Sequence, residues 1–177
     1  HYQIQSLPIN SGVFCLKKDR FQDVVWIGTD GQGVYLYSNP LYSIKSMVLS
    51  NYTEKIERPV RAIYLDDERT FWVGTKGNGI LKIYDYEFDK NISDCRAEVL
   101  TTSNSALSSN AVYCFAKSHR NLLWIGDEEG LTYYSYREKR IKSIPIRIGN
   151  EDFKYIHDIY ETADSELWLA SVGMGVV

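Results

Sequence analysis

Phe14, Arg61, Tyr113 and His157 share one column of a recurring pattern: each stands 11 or 12 residues ahead of a tryptophan, at Trp26, Trp72, Trp124 and Trp168. Their neighbours are uniform. Val13, Val60, Val112 and Ile156 precede them, and Leu16, Ile63, Phe115 and Ile159 follow two positions later. Uniform apolar columns are what packing dictates; a chemically varied column between them is what a recognition surface shows, and plain solvent exposure shows it too. The segments after the tryptophans add Asp30, Gln32, Lys76, Asn78 and Asp127, with Glu128 and Met174 beside them. An aromatic ring next to a guanidinium, an amide and a carboxylate suits a sugar, because the ring stacks on apolar C–H faces while planar polar groups bridge hydroxyls.

Other chemistries find weaker footing. Gly28-Thr29-Asp30-Gly31-Gln32-Gly33 and Gly74-Thr75-Lys76-Gly77-Asn78-Gly79 superficially resemble phosphate-cradling loops. They lack the Gly-Lys-Ser/Thr step and the helix whose N-terminus would bind the anion. His1, His119 and His157 are scattered, and no His/Cys spacing suits zinc. Asp30 does not open a calcium-loop pattern. Asp127-Glu128-Glu129 reads as a solvated turn tip. No Ser–His–Asp arrangement can be assembled, so no catalytic residue, metal or cofactor is expected. The three cysteines, Cys15, Cys95 and Cys114, are an odd, sparse set rather than a disulfide framework. Cys15 and Cys114 read as small buried residues on inner strands.

The 177 residues carry a formal net charge of −3 with both signs interspersed, which leaves no electrostatic footprint for nucleic acid. No run of about 18 apolar residues exists to span a membrane, and no signal peptide is visible. The 14 Tyr, 6 Phe and 4 Trp favour pleated sheet, and 3.6-residue apolar stripes are missing, so almost no helix is expected.

The elements that position the varied column are hairpins. Val24 to Tyr37 (VVWIGTDGQGVYLY) reads as two β-prone runs joined by a glycine turn, where residues at positive φ favour Gly. The unit returns as TFWVGTKGNGILKIY over Thr70 to Tyr84, LLWIGDEEGLTYY over Leu122 to Tyr134, and ELWLASVGMGV over Glu166 to Val176. Upstream of each lies a first strand that begins at Val13, Val60, Val112 or Ile156. Ser43 to Leu49, Arg96 to Thr101 and Lys139 to Ile146 supply a fourth, and a longer connection through Asp89-Lys90-Asn91 lengthens the second unit. Each unit is therefore a four-stranded antiparallel meander, strands a to d. The blades divide as residues 1–50, 51–102, 103–147 and an incomplete 148–177.

A period of about 40–50 residues with several short strands per unit is the mark of a propeller or a β-solenoid, and four-stranded sheets repeated about every 45 residues fit radial stacking, an all-β propeller. The tryptophans are expected to pack sheet on sheet, and Gly28, Gly74 and Gly126 to let strands approach closely; Ala170 departs from that column. Because the chain starts and stops inside the pattern, it reads as about four blades of a larger ring. Apolar faces are then expected at both ends, with a tendency to associate.

The repeated phrase LWIGT-x-G-x-G-[LV]-x-x-[YF], seen in WIGTDGQGVYLY, FWVGTKGNGILKIY and LLWIGDEEGLTYY, resembles the two-component regulator propeller repeat. Asn104 to Val112 (NSALSSNAV) resembles that family's lead-in to strand a. Asp127-Glu128-Glu129 and Leu169-Ala170-Ser171 depart from it. The resemblance implies a segment of the periplasmic sensor region of a hybrid sensor histidine kinase of Bacteroidetes, with a seven-bladed propeller, an immunoglobulin-like domain, a membrane helix and a kinase in the parent. It implies oligosaccharide ligands, a homodimeric parent, and partners in the remaining blades, with no enzymatic activity, nucleic acid or membrane contact for this segment. A propeller lyase or hydrolase using Asp30, Asp127 or Glu128, and a purely structural or dimerisation segment, are the competing expectations.

Overall fold

The computed structural model describes residues 7–38, 43–47, 58–86 and 94–177. Among them there is no α-helix. The first sheet holds β1 (Val13–Lys18), β2 (Val24–Thr29), β3 (Val34–Ser38) and β4 (Ser43–Met47). The second holds β5 (Val60–Leu65), β6 (Phe71–Thr75), β7 (Ile80–Ile83) and β8 (Ala97–Leu100). The third holds β9 (Val112–Lys117), β10 (Leu122–Asp127), β11 (Leu131–Ser135) and β12 (Arg140–Ile144). A two-stranded excursion follows, β13 (Arg147–Ile148) and β14 (Glu151–Asp152), which turns at Gly149-Asn150. The fourth sheet has three strands, β15 (Ile156–Glu161), β16 (Leu167–Ser171) and β17 (Gly175–Val176). Strands neighbour one another in chain order and pair antiparallel, so each sheet is the expected meander. Leu49, proposed as the end of the first fourth strand, and the Asp89-Lys90-Asn91 connection lie outside the described residues.

Sheets pack through their inner strands: β5 against β1 and β2, β9 against β5 and β6, β15 against β9 and β10. Contact concentrated on strands a and b makes the sheets fan, as in a propeller. Three apolar layers fill the spaces between sheets. Trp26, Val34 and Leu36 meet Ile63, Phe71 and Val73. Trp72 and Ile80 meet Leu123, Ile125 and Tyr134. Trp124 and Leu131 meet Ile156, Ile159 and Leu169. Trp26 and Trp72 are wholly inaccessible, whereas Trp168 is 52% exposed, since no described sheet covers its face. Tyr160, Val172 and Val176 share that exposure at the same end, and Val13 and Leu16 are exposed on β1.

The glycine after each tryptophan sits where neighbouring chains nearly touch. A Cβ on Gly126 would lie 2.5 Å from Cys114 Sγ and 2.6 Å from the Ile156 carbonyl oxygen of the next sheet. Gly28 meets Cys15 and Val60 in the same way. This gives the inner-strand cysteines their role: each thiol fills the space over a glycine, and burial pushes Cys15 up to about 11 and Cys114 up to about 12. All three cysteines are free thiols. Ala170 is tolerated because no described sheet presses on the fourth in that column.

Candidate functional site along the inner strands

The varied column owes its position to a repeated irregularity. In the first sheet Val13 pairs with Thr29 and Cys15 with Gly28, which leaves Phe14 between them without a partner. The same slip frees Arg61 (Val60 to Thr75, Ala62 to Gly74), Tyr113 (Val112 to Asp127, Cys114 to Gly126) and His157 (Ile156 to Ser171, Asp158 to Ala170). Each sheet thus carries a β-bulge at the start of strand a, and bulges bend a strand and redirect a side chain. Sequence gave the column; the bulge is the structural reason that packing does not dictate its identity.

The four redirected side chains line one groove of about 350 Å³, which runs across the inner strands from Phe14 to His157. They interact in pairs. The Arg61 guanidinium lies 3.7 Å from the Phe14 ring centroid. Tyr113 and His157 stack at 4.2 Å with an interplanar angle of 18°. Arg61 Nε is buried without an acceptor among the described residues, a state that costs a donor about 1–3 kcal/mol. Partial burial lowers the pKa of His157, and the positive charges of Arg61 and Lys76 lower it further. Burial also raises the Tyr113 phenol, with the Glu128 carboxylate acting in the same direction.

The turns after strand b meet the lead-ins to strand a on one face. Asp30 donates its backbone N–H to the Gly12 carbonyl, Lys76 to Pro59, Glu128 to Ala111 and Val172 to Tyr155, one bond per sheet. Between sheets, Gly77 and Gly79 donate to Asn110, and Tyr155 donates to Glu128. Asp30, Gln32 and Lys76 are exposed on this rim, and Gln32 accepts a hydrogen bond from the Tyr35 hydroxyl at 3.2 Å. Asn78 donates its backbone N–H to Thr75 Oγ1, while its Oδ1 is buried without a donor among the described residues.

Asp127 is placed differently from the rest. It is fully buried rather than part of a solvated tip. It occupies the column of Thr29 and Thr75, whose hydroxyls donate to the carbonyls of Gly33 and Gly79 to close their turns. Asp127 closes its own turn by accepting from the Glu129 and Gly130 N–H groups and from the hydroxyls of Ser108 and Thr132. Burial pushes its pKa up, and those four hydrogen bonds act against the shift.

Two further polar features were not singled out from sequence. Lys82 is buried between the second and third sheets, 4.8, 4.5 and 4.3 Å from the ring centroids of Trp72, Tyr84 and Tyr134. It donates to the Tyr134 hydroxyl at 2.9 Å. The tryptophan indoles also need acceptors: Trp26 donates to Asp19, Trp72 to Asp66, and Trp124 to Glu161 of the following sheet. The available signal was a carboxylate six or seven residues before Trp26 and Trp72 that becomes Ser118 before Trp124. Among the described residues no group of three or more His, Cys, Asp or Glu is placed to hold a metal ion, and no helix is long and apolar enough to cross a membrane.

The fold and the groove define an all-β, propeller-like repeat protein. No protein-family profile matches the chain. The extracellular domain of a putative hybrid two-component system from B. thetaiotaomicron superposes with a TM-score of 0.72 at 24% identity, covering 99% of this chain and 22% of that one. A virginiamycin B lyase from Staphylococcus aureus, solved as an inactive variant with quinupristin, superposes with a TM-score of 0.68 at 16% identity, covering 94% of this chain and 51% of that one. The first of these matches the resemblance read from the repeats, and both share the fold. Among curated proteins, translation initiation factor 6 of Saccharolobus solfataricus is 31% identical over 140 residues, 72% of this chain. The chain spans 57% of that relative and about a fifth of the sensor domain it superposes on.

Proposed function

We propose that this chain is a ligand-recognition segment of the extracytoplasmic, periplasmic sensor region of a two-component regulator, and that it takes an oligosaccharide along the groove between Phe14 and His157. The observation that carries this is the repeated bulge, which turns four chemically different side chains out of four sheets into one groove. Arg61 and His157 supply polar contacts there, and Phe14 and Tyr113 supply ring faces; such a mixture suits a sugar. Asp30, Gln32, Lys76 and Asn78 form the rim from which further hydroxyls would be bridged. In the parent, ligand would bias the arrangement of two chains, which requires different affinity for two states. The remaining blades of that parent would cover the exposed Trp168 face.

A lyase or hydrolase is the second reading, prompted by the lyase of similar fold. It needs a carboxylate pair able to exchange protons with substrate. Asp127 is buried with both oxygens engaged, Glu128 Oε2 accepts from Ser109 at 3.3 Å, and the exposed Asp30 stands on the turn of the first sheet while Glu128 stands on that of the third. The test is a calorimetric screen of oligosaccharides against the protein with product analysis of each mixture. Saturable binding without turnover is expected. Turnover would transfer the assignment to the enzyme, and silence across the panel with intact self-association would leave a structural segment.

A further inference from the structure

Resting on the ligand-binding reading of the same groove, we propose that its ligand is acidic: a carboxylate, sulfate or phosphate group held between the Arg61 guanidinium and the His157 imidazole, with the ring that bears it against Tyr113. The observation behind this is a guanidinium held in place over Phe14 with no acceptor for its Nε among the described residues. Arg61 forms no ion pair among the described residues, and its Nε lacks an acceptor. Phe14 covers one face of the guanidinium at 3.7 Å, which holds the plane in place. A guanidinium fixed in this way is prepared for two parallel hydrogen bonds to an oxyanion. Lys76 is exposed on the rim, with no ion pair among the described residues, and acts with Arg61 on His157.

The acids nearby accept hydrogen bonds from neutral groups and keep their charge. Asp127 serves Ser108, Thr132 and the turn N–H groups. Glu128 accepts from Ser109, and Asp158 accepts from the Ile159 N–H at 2.9 Å. The charges that act on His157 itself are the positive ones of Arg61 and Lys76. Arg61 from β5 and Lys76 from the turn after β6 act on His157, Tyr113 of β9 stacks on it, Asp158 of its own strand lines the same groove, and Glu128, Asp127 and Tyr155 act on the neighbouring Tyr113. An oxyanion beside the imidazole would favour its protonated form, so binding should tighten as pH falls toward the His range and weaken with added salt.

The chain has three histidines, so the His157 ring can be followed by NMR. Four probes are titrated separately: tri-galacturonate, neutral galactotriose, inorganic sulfate and inorganic phosphate. Tri-galacturonate is expected to bind at least about tenfold more tightly than galactotriose near pH 6, and to raise the His157 pKa. Arg61→Gln should abolish that preference with unchanged thermal unfolding. Arg61→Lys, which keeps charge but not the planar fork, should retain part of it. Equal affinity for both sugars overturns the acidic-ligand proposal and leaves the sugar reading standing. Sulfate or phosphate that shifts His157 while neither sugar binds supports the anion site and overturns the sugar reading. No probe moving the His157 resonance overturns the proposal.

Discussion

Trp124 donates its indole N–H to Glu161 across the gap between the third and fourth sheets, at 2.7 Å. In the first two sheets the acceptor lies within the same hairpin turn, Asp19 for Trp26 and Asp66 for Trp72, each at 2.9 Å. Where the third turn carries Ser118 in that column, the neighbouring sheet supplies the carboxylate. The repeat thus keeps the function of a residue while moving its place in the sequence, and the bond ties two sheets that are otherwise joined mainly by apolar contact.

Glu161→Ala should leave a buried indole N–H without an acceptor, at about 1–3 kcal/mol. Adding Ser118→Asp rebuilds the arrangement of the first two sheets and should recover most of that loss in urea unfolding. Failure of the second change to rescue would mean that the carboxylate matters for something other than the indole.

The same pair sets a pH dependence. Desolvation alone would push the Glu161 carboxyl up, but hydrogen bonds from Trp124, Ser118 and the His119 backbone hold it below the ordinary glutamate range. A carboxyl depressed in the folded state contributes stability that is complete above its unfolded pKa, about 4.3. That contribution is lost as pH falls through the lower, folded value. Wild type should lose more stability than Glu161→Gln over this acidic window, measured by urea midpoints at successive pH values.

Gly126→Ala should destabilise by roughly 1–3 kcal/mol, because the added methyl meets Cys114 Sγ and the Ile156 backbone oxygen. Ala170→Gly, in the same column of the fourth sheet, should have an effect below about 1 kcal/mol, chiefly through backbone entropy. Thermal unfolding of the two variants checks the contrast.

Trp72→Ala removes a side chain with no exposure and should cost about 3–5 kcal/mol. Trp168 is half exposed, and its loss should cost well under that. Equal losses would show that the Trp168 face is covered in solution by another copy of the chain, and the oligomeric state by light scattering would then fall in the Trp168→Ala variant.

Much of this was legible in the residues. The tryptophan column and glycine turns marked strands b and c, and the alternation ahead of them marked strand a, because these patterns are set by local sterics and sheet packing. The excursion of β13 and β14 was missed although Ile144, Ile146 and Ile148 alternate into Gly149-Asn150, a two-residue hairpin signal, because Glu151-Asp152 on the return side is not β-prone. The candidate column was visible as variation, but its cause was hidden: a register slip leaves no mark in composition. Asp127 looked like part of a charged tip because its partners are spread over Ser108, Thr132 and two backbone N–H groups. Lys82 gave no warning, as its ring contacts join two sheets.

The central claim is that the bulged residues of successive sheets make one ligand-binding groove, and amide chemical-shift mapping with a saturating oligosaccharide tests it most directly. Perturbations should centre on Phe14, Arg61, Tyr113 and His157 and extend to the rim at Asp30, Lys76 and Asn78. Perturbations confined to the opposite turns, around Asp67, Lys117 and His119, would place recognition elsewhere and contradict the account.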